Sequence, residues 1–194
     1  ASPAVVDPLT RLHCCPPTSG AAAAVFCSPG FARRHGLDQT VDLSAMALVS
    51  DHPDAFEEGA IAAVGSTIGA AAAARAYDAA GVSPTEVDVV ELHDCFTINE
   101  ALAYEDLGLA PRGGAARMIA DDDNTYGGRV VINPSGGLLA KGHPLGATGV
   151  AQLAELTWQL RGQAGARQVE GARVGLQHNV GLNGAAVVSV LTRI

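Results

Sequence analysis

The chain has few aromatic side chains and few positive charges. Phe, Tyr and Trp make up 4% of its 194 residues, and 12 Lys and Arg face 20 Asp and Glu, a net charge of −8. Phosphate backbones are bound by clustered cations, so a general nucleic-acid binder is excluded, and only a local basic patch is compatible with this balance. No continuous apolar run reaches the roughly 18 residues of a membrane helix. No basic segment leading into an apolar stretch marks a signal peptide. The end, Leu191-Thr192-Arg193-Ile194, is not a Ser-Lys-Leu peroxisomal address. Four cysteines have neither the density of a disulfide scaffold nor the spacing of metal ligands, so no metal site is expected. A reducing, cytoplasmic setting is the expectation.

What is abundant is small and apolar. Residues of the apolar class make up 48% of the chain and charged residues 16%, so a core is expected, filled by Ala, Val, Leu and Gly. The length suits one domain with part of another. Residues 1–19 are proline-rich and irregular, and Gly20–Cys27 reads as a short buried strand. Ser28-Pro29 supplies an N-cap and a first-turn proline, with Gly36 as the stop. Thr40–Val49 alternates as a strand, and 51–65 reads as loop. The Ala-rich stretch Ser66–Ala80 predicts a helix ended by Gly81, and Ser83-Pro84-Thr85-Glu86 spells a capping box. Val87–Leu92 reads as a buried strand, Thr97–Leu107 as a helix, Pro111–Gly128 as a polar loop with a solvated acidic run at 121–123, and Arg129–Ile132 as a short strand. Gly146–Leu160 reads as a helix, and Arg173–Gln177 with Ala185–Thr192 as strands joined by a Gly/Asn turn. From residue 40 the order is β-α-β-α-β-α-β-β. That predicts an α/β fold with a mostly parallel mixed sheet between helices and the final hairpin at an antiparallel edge.

Three turns carry residues capable of chemistry. Cys95 and His93 follow a strand directly, in Glu91-Leu92-His93-Asp94-Cys95-Phe96. Cys95 reads either as a buried structural thiol or as an acid/base whose pKa an imidazolium and a following helix N-terminus would lower. His143 lies between Gly142 and Pro144, ahead of a helix, where it could activate a thiol or stabilise an oxyanion. His178, at the end of a strand, is compatible with a site role or with a turn bond. The segment Ser135–Gly149 is not a phosphate loop, since it lacks the Gly-Lys-Ser/Thr ending. Its Gly136 and Gly137 suit a close backbone approach or unusual dihedrals.

The spelling of these segments resembles the thiolases of the sterol-carrier-protein-2 type. The resemblance rests on His93-Asp94-Cys95-Phe96, Asn124-Thr125-Tyr126-Gly127-Gly128, the stretch from Asn133 to Gly149, and Gln177-His178-Asn179. It implies the second half of a two-half thiolase fold, with residues 1–36 the end of the first half and 37–194 the C-terminal thiolase domain. The nucleophilic cysteine of that family lies in the first half, and none of the four cysteines here stands in its setting. By position, His143 would activate that nucleophile, Cys95 would be the second acid/base, and His93 would stand where other thiolases place an oxyanion-hole asparagine. His178 would stand where other thiolases have their second catalytic cysteine, with Cys95 replacing that thiol from another loop. His178, Asn179, Gly137 and Gly142 would line the substrate. Ala140 and Val180 depart from the common pattern, as does the absence of an aspartate before Gly20.

The resemblance therefore implies an acyltransferase that cleaves or forms 3-ketoacyl-CoA, with coenzyme A as co-substrate and no resident cofactor. The chain alone is expected to be inactive. Its expected partners are the missing half or a partner subunit, as a homo-oligomer when complete. The alternatives are a thiolase-like aldolase acting on steroid side-chain CoA esters and a non-catalytic half-thiolase subunit.

Overall fold

The computed structural model describes all residues except 1, 54–56, 58, 182 and 183. Two short strands, β1 (Ala4–Val6) and β2 (Leu9–Thr10), form a small hairpin, and α1 (Pro29–His35) follows. The Ser28 hydroxyl accepts from the Phe31 amide at 3.2 Å and Gly36 closes α1 at φ 62°, so both expected helix signals operate. The expected strand Gly20–Cys27 does not form: these residues pair with no strand among the described residues, and Val25 and Phe26 are exposed. A strand needs a neighbour for its amides, and none is within reach here.

The main unit runs β3 (Val41–Ser50), α2 (Ala60–Ala63), α3 (Ser66–Ala80), β4 (Val89–Glu91), α4 (Thr97–Asp106), α5 (Ala115–Ala120), β5 (Val131–Ile132), α6 (Gly137–Lys141), α7 (Thr148–Arg161), β6 (Val174–Gly181) and β7 (Ala185–Arg193). The five strands lie in the order β3-β7-β6-β4-β5. Four run the same way and β7 alone is reversed, pairing antiparallel with both β3 and β6. The last hairpin is therefore not at the edge, as the element order had suggested. β7 turns back into the gap between β6 and β3, and β3 takes the edge. The expected Gly/Asn turn of that hairpin falls largely outside the described residues. The short helices α2, α5 and α6 lie in stretches that read as loops, because each has only a turn or so of sequence and no full apolar period.

Alternation along the strands sorts side chains to two faces. Ala45 and Val49 of β3, Val90 of β4, Leu176 of β6, and Ala186, Val188 and Val190 of β7 pack with Ile68, Ala72, Ala73 and Ala76 of α3 and Tyr104 of α4. The alanines of α3 let that helix lie close on the sheet. On the other face, Val89 and Leu191 meet Leu153, Leu156 and Leu160 of α7. Asp88, which interrupts an apolar run, accepts from the amides of Arg173 and Val174 at 2.7 and 2.9 Å and so sets the start of β6. Among the described residues, no helix is long and apolar enough to cross a membrane.

Candidate functional site

The parallel strands β4 and β6 end side by side, and ligands of α/β folds gather beyond such ends. His93 and Asp94 leave β4 buried, while Cys95 is half-buried. The His93 ring meets the His143 ring edge to face, with centroids 4.9 Å apart and planes at 88°. His93 Nδ1 lies 2.6 Å from Asn179 Oδ1 of β6. His143 Nδ1 lies 2.8 Å from the Thr148 hydroxyl, which itself donates to the Pro144 carbonyl at 3.3 Å. That hydroxyl has a single proton: directed at the Pro144 carbonyl, it leaves the hydrogen on His143 Nδ1 and a lone pair on its Nε2.

Two carboxylates that the sequence analysis passed over hold the loop carrying His143. Asp94 accepts from the amides of Leu138 and Leu139 at 2.7 and 3.3 Å, which caps α6. Glu91 accepts from the Ser135 amide and hydroxyl at 3.0 and 2.7 Å and faces Lys141 at 3.4 Å. The signal for Glu91 was present in the sequence: a carboxylate inside a fully buried strand needs a partner. Asn133 adopts φ 48°, and its Oδ1 accepts from the Leu92 amide at 2.8 Å, tying the two loops again. Gly137 sits at φ 60°, and a Cβ there would strike the Asp94 carboxylate. Gly142 sits at φ 93°, where a Cβ would strike Thr18. Both glycines are accounted for by packing against protein atoms.

The segment 14–18 forms a strap over both loops. The Cys15 amide donates to the Cys95 carbonyl at 2.9 Å, Cys14 bridges Phe96, and Pro17 bridges His143.

Burial sets the protonation of the site. It pushes His93 down to about 4, with His143 adding to the effect against the Asn179 bond, and it lowers His143 as well, against the pull of Asp94. Both imidazoles are neutral at pH 7. Burial pushes the Cys95 thiol up to about 11, with Cys15 adding to it. This corrects the expectation of a thiol tuned toward neutrality: His93 carries no charge to lower it, and burial outweighs the backbone bonds.

His93, His143 and Asn179 line one cleft of about 430 Å³ together with Met46, Leu145 and Val187. Neither Cys95 nor His178 is among its lining residues. His178 points to the opposite face of β6, where it is buried with neither ring nitrogen bonded among the described residues, and burial pushes it down to about 3. It faces a small cavity that also touches His93, Ser66 and Asp106.

A family model described as Thiolase C-terminal domain-like matches residues 49–193. The chain belongs to this thiolase family. The chain is 56% identical to Sterol carrier protein 2 of Rattus norvegicus over 188 residues, which is 96% of this chain and 34% of that protein. It is 45% identical to an acetyl-CoA acetyltransferase of Methanothermobacter thermautotrophicus, over 97% of this chain and 49% of that one. The chain thus spans about a third to a half of the length of these curated relatives. The solved structure of an Ltp2-ChsH2(DUF35) aldolase superposes with a TM-score of 0.80 at 22% identity, over 99% of this chain and 49% of that one, a likeness of fold.

Proposed function

We propose that this domain is the acid/base half of an acyl-CoA thiolase, which exchanges acyl groups between 3-ketoacyl-CoA and coenzyme A through a covalent thioester. The observation that carries the reading is the edge-to-face pair of His93 and His143 lining the cleft, with Cys95 on the loop that follows His93. His143, neutral and with its Nε2 lone pair free, takes the proton of a nucleophilic thiol supplied by the other half. That thiolate attacks the 3-keto carbonyl, and the acetyl-CoA enolate leaves. Cys95, protonated at neutral pH, delivers its proton to the enolate carbon. The resulting thiolate takes the proton of incoming CoA, which then releases the acyl group from the enzyme. His93 serves the developing oxyanion.

On this reading residues 1–36 close the first half, and the complete enzyme is a homo-oligomer. The unpaired stretch 20–28, with Val25 and Phe26 exposed, supports that division. The test is thiolysis of acetoacetyl-CoA by the protein carrying both halves. Cys95→Ala is expected to remove most of the activity, and full activity in that variant removes Cys95 from the mechanism. Absence of thiolysis, with cleavage of a steroid side-chain CoA ester that consumes no CoA, replaces the reading with the aldolase.

A further inference from the structure

Behind His93 runs a line of buried amides. The Ser189 hydroxyl lies 2.9 Å from Gln177 Oε1, Gln177 Nε2 lies 3.0 Å from Gln152 Oε1, and Asn179 Nδ2 lies 3.3 Å from the same Gln152 oxygen. The line ends at the Asn179 Oδ1 to His93 Nδ1 contact of 2.6 Å. Gln152, Gln177 and Ser189 are 0–2% exposed. With the bonds in this direction His93 carries its hydrogen on Nδ1, and its Nε2 is a bare lone pair. One donor is then left over: Gln152 Nε2 is buried with no acceptor among the described residues.

The same heavy-atom positions admit the opposite direction, because the two ends of a carboxamide have nearly the same shape. Turning the three amides together gives Gln177 Nε2 donating to Ser189 Oγ, Gln152 Nε2 donating to both Gln177 Oε1 and Asn179 Oδ1, and Asn179 Nδ2 donating to His93 Nδ1. The imidazole stays neutral. Water removes its proton from Nδ1 and returns one to Nε2, with no net change. The groups left over are now the Gln152 oxygen and the Ser189 hydroxyl hydrogen. A buried carbonyl short of a bond is more readily tolerated than an orphaned N–H, and the hydroxyl hydrogen turns freely about its C–O bond.

We propose that this reversed direction is the one the enzyme uses. Gln152, Gln177 and Ser189 are then positioning residues that turn His93 into a hydrogen-bond donor, its Nε2–H available to an oxyanion. Burial makes this relay necessary, since a histidine held neutral cannot donate from both nitrogens. The use of that donor in turnover rests on the thiolase reading above, whereas the tautomer itself does not.

Neutron diffraction from deuterated crystals of the full-length protein reads the relay directly. The expected result is deuterium on His93 Nε2, none on Nδ1, and both Gln152 amide deuterons aimed at Gln177 and Asn179. Deuterium on Nδ1 with the amides in the opposite sense overturns the proposal. A second arm uses Gln152→Met, which keeps the side-chain length and removes the amide. Loss of an oxyanion donor costs about 10²–10³-fold in kcat, so misdirecting one is expected to cost about ten-fold, with KM little changed. Unchanged kcat in a folded Gln152→Met protein overturns the positioning role. If the unsubstituted protein shows no thiolysis, the functional reading fails while the neutron result still decides the tautomer.

Discussion

The two faces of the sheet are built differently from the same alternating strands. Toward α3 and α4, β4, β6 and β7 present Val90, Leu92, Leu176, Ala186, Val188 and Val190, an apolar layer in which His178 is the polar intruder on β6. Toward α7 the neighbouring positions are Glu91, Gln177, Asn179 and Ser189, bonded to one another or to the loops around α6 and α7. The first face is finished. The second is apolar only along Leu153, Leu156 and Leu160, and beyond the helix it leaves Met46 and Leu48 of β3 in solvent. Stability is concentrated on one side and chemistry on the other, so the polar side can hold histidines and carboxylates without loosening the fold.

The strongest way to separate the faces is His143→Ala in the full-length protein. Removal of a general base costs about 10²–10⁴-fold, so kcat for thiolysis should fall by that order while the melting temperature stays close to that of the parent. Next, Leu176→Ala on the finished face should lower stability by about 2–5 kcal/mol in a denaturant titration, with kcat preserved in the folded fraction. A variant that loses kcat instead would erase the distinction.

A subtler probe is pH. Burial raises the Glu91 carboxyl above its ordinary value of 4.5, against the opposing pull of Lys141 and Ser135. The fold thus holds that proton more tightly than the unfolded chain does. The associated stability is complete below about 4.5 and drains away as pH rises through the raised value. Relative to Glu91→Gln, the parent should therefore lose stability between acid and neutral pH in paired thermal melts. A constant difference would place Glu91 in full balance with Lys141. The smallest effect belongs to Leu48→Ser on the exposed side of β3, expected within about 0.5 kcal/mol for the domain itself.

Much of this was legible in the sequence, for identifiable reasons. Ser28, Gly36, Gly81 and the Ser83 capping box act locally, and each behaves as its chemistry dictates. Ser66–Ala80 has the bounds its composition suggested. The motif-bearing turns were visible because Gly, His and Pro cluster there. What could not be read was anything settled by a distant partner. β7 and β6 look alike as isolated strands, so the insertion of β7 beside β3 is a property of the assembled sheet. Residues 20–28 have the composition of a strand and lack only a neighbour. Cys95 was expected to have a lowered pKa from adjacent residues, but its acidity follows how deeply the loop is buried. His178 reads as a site residue beside Asn179, yet strand alternation sends the two to opposite faces.

The place of β7 also governs when the domain can form. Its residues are made last of all the strands, yet β3, made first, pairs with no other strand of the sheet. A chain emerging from the ribosome therefore holds β3 and α3 without a completed sheet until about 110 further residues have followed α3, as the pairing of Val41 with Arg193 requires. During that interval α3 has α4 to rest on but not the β3-β7 pair that covers its other apolar residues, so maturation of the domain is timed by the arrival of β7.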